Sequence, residues 1–222
     1  MNEEINKNVL KTGTVNIGIV CKDGIVLAAD RRVSMGSGSG VAYLGGTLKK
    51  ILEVNDRIIL SMAGGASDAI RNVSLLKAEL RIKELRTKAQ MSVSEVASLT
   101  ANMLFQNIRT PSMIPSIAHF LLAGSDETGL HLFDISPDGY LKEVKDCVSS
   151  GSGMLQADPI LDMEYKKGIT VEEGIKLATK CITASTGRDP AVGQGLDIYA
   201  ISKGKVEQVL NQDFVSELKD SK

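Results

Sequence analysis

At Thr14 the chain changes character. Val15, Ile17 and Ile19 are apolar on one parity, while Thr14, Asn16 and Gly18 occupy the other. After Lys22-Asp23-Gly24 the apolar parity resumes at Ile25, Leu27 and Ala29. A period of two marks a half-buried strand, and two such runs across a short connection ending in glycine predict an antiparallel hairpin. A three-residue loop closed by a left-handed Gly24 pairs Cys21 with Ile25 and Thr14 with Arg32. Both apolar sets then share one face, as a core on one side requires. In that register Asp30 lies on the face of Thr14, one diagonal step away.

The residues before this onset, 1–13, carry no periodicity and read as a leader. Beyond the hairpin, residues 36–47 are rich in Gly and Ser and read as a loop. Arg57 to Met62 reads as a strand, broken by Ala63-Gly64-Gly65-Ala66 ahead of a helix with Ala69, Val73, Leu76 and Leu80 at helical spacing. Ser92 with Glu95 forms a capping box for a second helix, which Pro111 stops. Ile117 to Ala123 and Leu130 to Ile135 read as strands joined by a turn. Asp158-Pro159 reads as the start of a third helix, and Thr170 with Glu173 caps a fourth. Asp197 to Ile201 and Lys205 to Leu210 close as a hairpin around Gly204. Runs of strands and runs of helices, without strict alternation, predict two antiparallel sheets between two helical layers. No repeat or internal domain boundary interrupts the 222 residues, a length that suits one domain.

The formal net charge of −1 calls for neither nucleic acid nor a membrane surface. No run approaches the ~20 apolar residues of a span, and the polar start lacks a secretory apolar stretch. Cys21, Cys147 and Cys181 are widely spaced and odd in number, which predicts free thiols in a reducing, cytoplasmic setting. His119 and His131 sit in strand-like apolar runs, so a metal site or a histidine-based Ser or Cys nucleophile is poorly supported. No cofactor is expected.

Several ordered segments together resemble the proteasome β-subunit family, in its archaeal type. They are TVNIGIVCKDGIVLAADRRVSM from Thr14 to Met35, LKKI around Lys50, SMAGGASD from Ser61 to Asp68, SGSGM from Ser150 to Met154, and GRDPAVGQGLD from Gly187 to Asp197. The resemblance covers nearly all of the chain after residue 13. It implies an α+β fold, a four-layer αββα sandwich of the N-terminal-nucleophile hydrolase type. It implies a propeptide, 1–13, removed by autocatalytic cleavage between Gly13 and Thr14, and a peptidase domain, 14–222. The implied function is a threonine-type endopeptidase of the 20S core. Its partners would be α subunits and other β subunits in stacked heptameric rings, an ATP-dependent unfoldase, and unfolded polypeptide substrates.

The implied chemistry follows from the residue types. A threonine hydroxyl needs a base, and a free α-amino group with a reference pKa of ~7.7–8.0 can serve. The resemblance makes Thr14 the nucleophile, Lys50 the active-site cation, Asp30 its partner, Gly64 the oxyanion donor, and Ser152 with Asp189 the pair that holds the amine. Lys49 is a rival for the role of Lys50. The matching substrate pocket is Val33, Met62 and Ala66. The chain departs from the family pattern at Val15 and Asn16, at Met154, in a longer segment between Met35 and Lys50, and at Val192, where a hydroxyl residue is usual. Two other readings stay open: a structural ring subunit that cleaves weakly, and an amidohydrolase acting on a small amide. An outer-ring α-type subunit is disfavoured, since residues 1–13 lack helical spacing.

Overall fold

The computed structural model describes residues 13–36, 42–113, 115–202 and 204–214. The expectations for residues 1–12 therefore lie outside the described residues. One antiparallel sheet runs in the order β10 (Cys147–Ser150), β1 (Asn16–Val20), β2 (Ile25–Asp30), β11 (Gly195–Ser202), β12 (Lys205–Asp213). A second runs β5 (Ile51–Glu53), β6 (Ile58–Gly64), β7 (Ala118–Asp126), β8 (Gly129–Ile135), β9 (Leu141–Val144). Helices α1 (Ala66–Thr87) and α2 (Val93–Arg109) cover the second sheet, with Val73, Leu76, Val96 and Leu104 packed on Ile58, Leu60, Phe120 and Leu122. Helices α3 (Met154–Glu164) and α4 (Val171–Thr186) cover the first, where Leu161, Leu177 and Ile182 meet Ile17, Ile19 and Val26. Between the sheets, Ile25, Leu27 and Tyr199 pack against Ile59, Leu121 and Leu132. The result is the four-layer αββα arrangement that the element order predicts.

The first hairpin differs from its expected register by one residue. Asn16 pairs with Ala29 and Val20 with Ile25, and the Cys21 N–H donates to the Gly24 carbonyl at 2.9 Å across a Lys22-Asp23 loop. The reason lies in the layering. Val26 and Ala28 share the helical side with Val15, Ile17 and Ile19, while Ile25, Leu27 and Ala29 face the other sheet. A strand buried on both faces has no solvent side, so the parity argument that fixes register in a two-layer fold does not apply. Gly24 is needed for space instead: a Cβ there would stand 2.5 Å from the Ile201 carbonyl oxygen.

Two further expectations change. The Gly/Ser-rich segment is not all loop, because β3 (Arg32–Gly36) pairs with β4 (Ala42–Thr47); residues 37–41 lie outside the described residues. Asp158-Pro159 does not open the third helix, which begins at Met154 with Pro159 inside it. The proline removes the N–H that would bond the Leu155 carbonyl, at a residue that is exposed as a whole. Both capping boxes form, at Ser92 with Glu95 and at Thr170 with Glu173. The histidines are engaged on strands: His119 with Asp134 at 2.5 Å, and His131 with Glu143 at 3.0 Å. Cys21, Cys147 and Cys181 are free.

The inter-sheet layer is the least forgiving part of the fold. Leu27→Ala, at a side chain with no exposed surface, is expected to destabilise the chain by ~2–5 kcal/mol. Leu155→Ala, at a side chain 72% exposed, should cost under about 0.5 kcal/mol. Urea unfolding of the two variants checks this, and equal losses would contradict the assigned layers.

Candidate active site

The site forms where the two sheets meet at one end. Thr14 lies just before β1 and is 2% exposed. Gly13, still joined to it, fits where no other residue can, since a Cβ would come within 1.9 Å of the Ala191 Cβ. The Thr14 hydroxyl donates to the Gly13 carbonyl oxygen at 2.7 Å. Its own carbonyl accepts from the Gly153 N–H at 3.0 Å. Gly151 permits this approach, with φ +91° and the Thr14 oxygen 2.2 Å from where a Cβ would be.

Asp30 ends β2 and is wholly buried. Its Oδ1 accepts from the Val15 N–H, and its Oδ2 from the N–H groups of Arg32 and Gly193, each at 3.0 Å. Lys50 arrives from the opposite sheet, one residue before β5, anchored by its carbonyl to the Met62 N–H at 3.0 Å. Its Nζ stands 2.7 Å from Asp30 Oδ1, 2.9 Å from Thr14 Oγ1 and 3.1 Å from the Gly13 oxygen. Burial pushes the Lys50 amine below its ordinary value, against the opposing pull of Asp30. The expected diagonal from Thr14 to Asp30 is thus replaced by a bridge, with Lys50 as the linking group. Lys49 points elsewhere, with its Nζ 5.0 Å from the centre of the Tyr199 ring.

Ser152 and Asp189 come from the turn after β10 and the turn after α4. Ser152 Oγ donates to Asp189 Oδ2 at 2.5 Å and accepts from the Thr14 N–H at 3.3 Å. Asp189 is held in turn by the Ala191 N–H at 2.8 Å. Val192 is buried with Val15, Ile182 and Leu196, and its N–H donates to the Asp189 carbonyl at 3.1 Å. The valine therefore keeps the turn that positions Asp189, while its side chain adds apolar packing where a hydroxyl is usual.

A small pocket opens beside Thr14 and Lys50. Val33, Met62, Gly64 and Ala66, all expected from the sequence, line it. Gly64 ends β6 with φ +96°, and a Cβ there would stand 2.4 Å from the Ile117 carbonyl oxygen. Arg32, Leu48, Ala63 and Ala69 line it too and were missed. Arg32 was legible as the neighbour of Arg31 at a strand end. Leu48 and Ala69 carry no local signal, since only the pairing of sheets and the seating of α1 bring them here.

Residues 10–201 match the proteasome subunit family model. A proteasome subunit beta 1 of Thermococcus sibiricus is 38% identical over 208 residues, covering 90% of this chain and 96% of the relative. A proteasome subunit beta 1 of Thermococcus onnurineus is 35% identical over 207 residues, covering 93% and 97%. A proteasome subunit beta of Ferroglobus placidus is 33% identical over 210 residues, covering 95% and 96%. No helix among the described residues is long and apolar enough to cross a membrane. With the four-layer sandwich of the N-terminal-nucleophile type already evident, these matches over nearly the full length mean that the chain belongs to the proteasome subunit family and groups with its β subunits.

Proposed function

We propose that the chain is a threonine endopeptidase subunit that exposes its own nucleophile by cutting the Gly13–Thr14 bond. One observation carries this reading: a single buried amine, Lys50 Nζ, touches the Thr14 hydroxyl, the Gly13 carbonyl oxygen and Asp30 at once. In the first reaction Thr14 Oγ1 attacks the Gly13 carbonyl carbon and its proton passes to Lys50 Nζ in the deprotonated fraction of that amine. The C–N bond to Thr14 breaks as the proton passes from Lys50 to the leaving nitrogen, giving an ester between Gly13 and the threonine oxygen and a free Thr14 amine. Water hydrolyses that ester, which releases the segment ending at Gly13 as a carboxylate and restores the Thr14 hydroxyl beside its free amine.

In the second reaction the freed amine accepts the hydroxyl proton as Oγ1 attacks a substrate carbonyl. The Lys50 cation disfavours protonation of that amine, Asp30 fixes Lys50, and Ser152 with Asp189 hold the amine. Gly64, in the same pocket, is assigned to the developing oxyanion, a contact of a type worth ~2.7–4 kcal/mol. The partners are α and β subunits in stacked rings, supplied with unfolded polypeptide by an ATP-dependent unfoldase. The free cysteines suit a cytoplasmic placement. Val192 favours one other reading, a weakly active structural subunit, because its buried methyls offer the amine no hydrogen bond.

Thr14→Ala in particles assembled with α subunits is expected to abolish both cleavage and peptide hydrolysis. Lys50→Ala should reduce both at least ~10³-fold, whereas Lys49→Ala should stay within about tenfold of the parent. Intact mass and a fluorogenic peptide assay read these outcomes. Removal of residues 1–13 without any peptide hydrolysis would select the structural reading.

The self-cleavage step should depend on pH with a definite sign. Lys50 acts there as a neutral base and its amine is pushed down by burial, so cleavage slows as pH falls through that lowered value and levels off above it. Lys50→Arg should block cleavage at every pH, because a guanidinium does not give up its proton. Single-turnover mass measurements across pH check this; faster cleavage in acid would rule out Lys50 as base.

Substrate choice follows from the pocket. Val33, Leu48, Met62 and Ala66 are apolar, and burying a large apolar side chain against them contributes ~1.5–3 kcal/mol. Arg32 and Lys50 are the cations beside it, so a basic side chain fares worst. Cleavage after Leu, Phe or Tyr should exceed cleavage after Arg by roughly ten- to hundredfold. A fluorogenic panel with Leu, Phe, Glu and Arg before the reporter decides, and faster turnover after Arg would refute this pocket.

A further inference from the structure

Behind the pair of Asp30 and Lys50 lies a second ionic cluster built from their immediate neighbours. Arg31 follows Asp30 in the chain, and Lys49 precedes Lys50. Arg31 places Nε at 2.9 Å from Asp197 Oδ2 and Nη2 at 2.5 Å from Asp197 Oδ1, a two-point fork on a carboxylate with no exposed surface. Asp197 Oδ1 also accepts from Gln208 Nε2 at 2.8 Å. Gln208 Oε1 accepts from the Tyr199 hydroxyl at 3.2 Å and lies 3.5 Å from Lys49 Nζ, which stands over the Tyr199 ring. The chain of contacts therefore starts next to Asp30, on the first sheet, and ends next to Lys50, which leads into the second.

The backbone agrees. The Arg31 N–H donates to the Gly193 carbonyl at 3.1 Å, and the Arg31 carbonyl accepts from the Leu48 N–H at 2.8 Å. Gly193 is one of the three donors to Asp30, and Leu48 is two residues from Lys50. Moving Arg31 moves both.

A β-bulge makes the cluster possible. The pairing of β11 with β12 shifts between Ile198 and Tyr199, so Ile198 faces Leu210 while Tyr199 faces Gln208, leaving Val209 as the extra residue. Without the shift Gln208 would oppose Ala200, on the parity of Ile198, which faces the helices. With it, Gln208 joins Tyr199 and Asp197 on the parity facing the other sheet. Bulges bend a strand and re-aim a side chain at the expense of ladder regularity. Here the re-aimed side chain is the one that links Asp197 to Lys49. A buried ion pair is a weak source of net stability, so its placement against both neighbours of the reacting pair asks for another role.

We infer that Asp197, with Gln208, is a positioning centre that fixes the distance between Asp30 and Lys50, and through it the place of Lys50 against Thr14. The inference rests on the assignment of Thr14 and Lys50 above. Neither Asp197 nor Gln208 touches substrate; each acts through the residue next to a reacting group. Loosening the cluster lets Lys50 drift from the Thr14 amine, so that amine becomes easier to protonate and the acid limb of turnover moves to higher pH. Neither Asp197 nor Gln208 lines the substrate pocket, and its apolar walls at Val33, Met62 and Ala66 keep their affinity.

The test uses whole particles assembled with α subunits, carrying Asp197→Asn or Gln208→Leu. Asp197→Asn removes the charge with little change of shape, and Arg31 keeps contacts to Asn211 and Asp213 at 2.5 Å each. Gln208→Leu keeps the volume and all ionic charges, so it serves where Asp197→Asn fails to assemble. With a fluorogenic peptide, kcat should fall about 10- to 100-fold for Asp197→Asn and about three- to tenfold for Gln208→Leu, with KM within about twofold and the acid limb moved to higher pH. Unchanged kcat and pH profile in assembled particles would overturn the inference, as would a loss that appears only as reduced assembly or lowered Tm. Lys50→Ala run alongside separates the two levels. If it retains full activity, the assignment of Lys50 itself fails; if it is inactive while Asp197→Asn and Gln208→Leu behave as the parent, only the positioning role fails.

Discussion

A buried lysine held against a buried aspartate organises this end of the molecule. Lys50 and Asp30 come from different sheets, and each is almost wholly withdrawn from water. Such a pair is costly to bury, and its mutual attraction roughly offsets the lost hydration only when every remaining acceptor is satisfied. Asp30 meets that condition through three backbone N–H groups, from Val15, Arg32 and Gly193. Those donors belong to the start of β1, the start of β3 and the turn before β11. The carboxylate therefore collects three chain segments at one point and presents its remaining valence to Lys50. The same lysine faces the Thr14 hydroxyl and the Gly13 carbonyl, so the pair is set against the bond between Gly13 and Thr14.

The layers above and below explain why the pair can be rigid. β2 is covered by helices on one face and by the second sheet on the other, so Asp30 extends from a strand with no freedom to slip. Lys50 enters β5, an edge strand of only three residues, and so depends on neighbours for its position. The Met62 N–H on its carbonyl supplies one constraint. The contacts of Lys49 with Gln208 and Tyr199, and of the Leu48 N–H with the Arg31 carbonyl, supply a second. Catalytic geometry is sensitive to displacements of about 1 Å, which gives a fold of this kind reason to hold a short edge segment from both sides.

Val192 shows how a departure from a family pattern is absorbed. Its side chain joins the apolar cluster under α4, while its backbone keeps the bond to the Asp189 carbonyl. The turn survives because its shape is set by main-chain bonds and by Asp189 accepting from the Ala191 N–H. Ser152 and Asp189 thus keep their contact with each other and with the Thr14 N–H beside a buried valine.

Local signals in the sequence determined much of the fold. Ser92 with Glu95 and Thr170 with Glu173 announced two helices, because a capping box satisfies its own orphan donors without help from the rest of the chain. The order of strands and helices announced the four layers, and the ordered segments from Thr14 to Asp197 that resemble the family named residues that meet at the site. Other features escaped because they depend on partners distant in sequence. The register of the first hairpin was free to shift once β2 had two buried faces. The resemblance assigned Lys50 and left its neighbour Lys49 as a rival, and nothing local marked a role for Asp197. Only the closing of one sheet on the other turned Lys50 toward Thr14 and Lys49 toward Tyr199, and only a bulge in β12 turned Gln208 toward Asp197. Alternation and capping are decided over a few residues and can be read along the chain; the direction of one buried charge is decided by the opposite sheet.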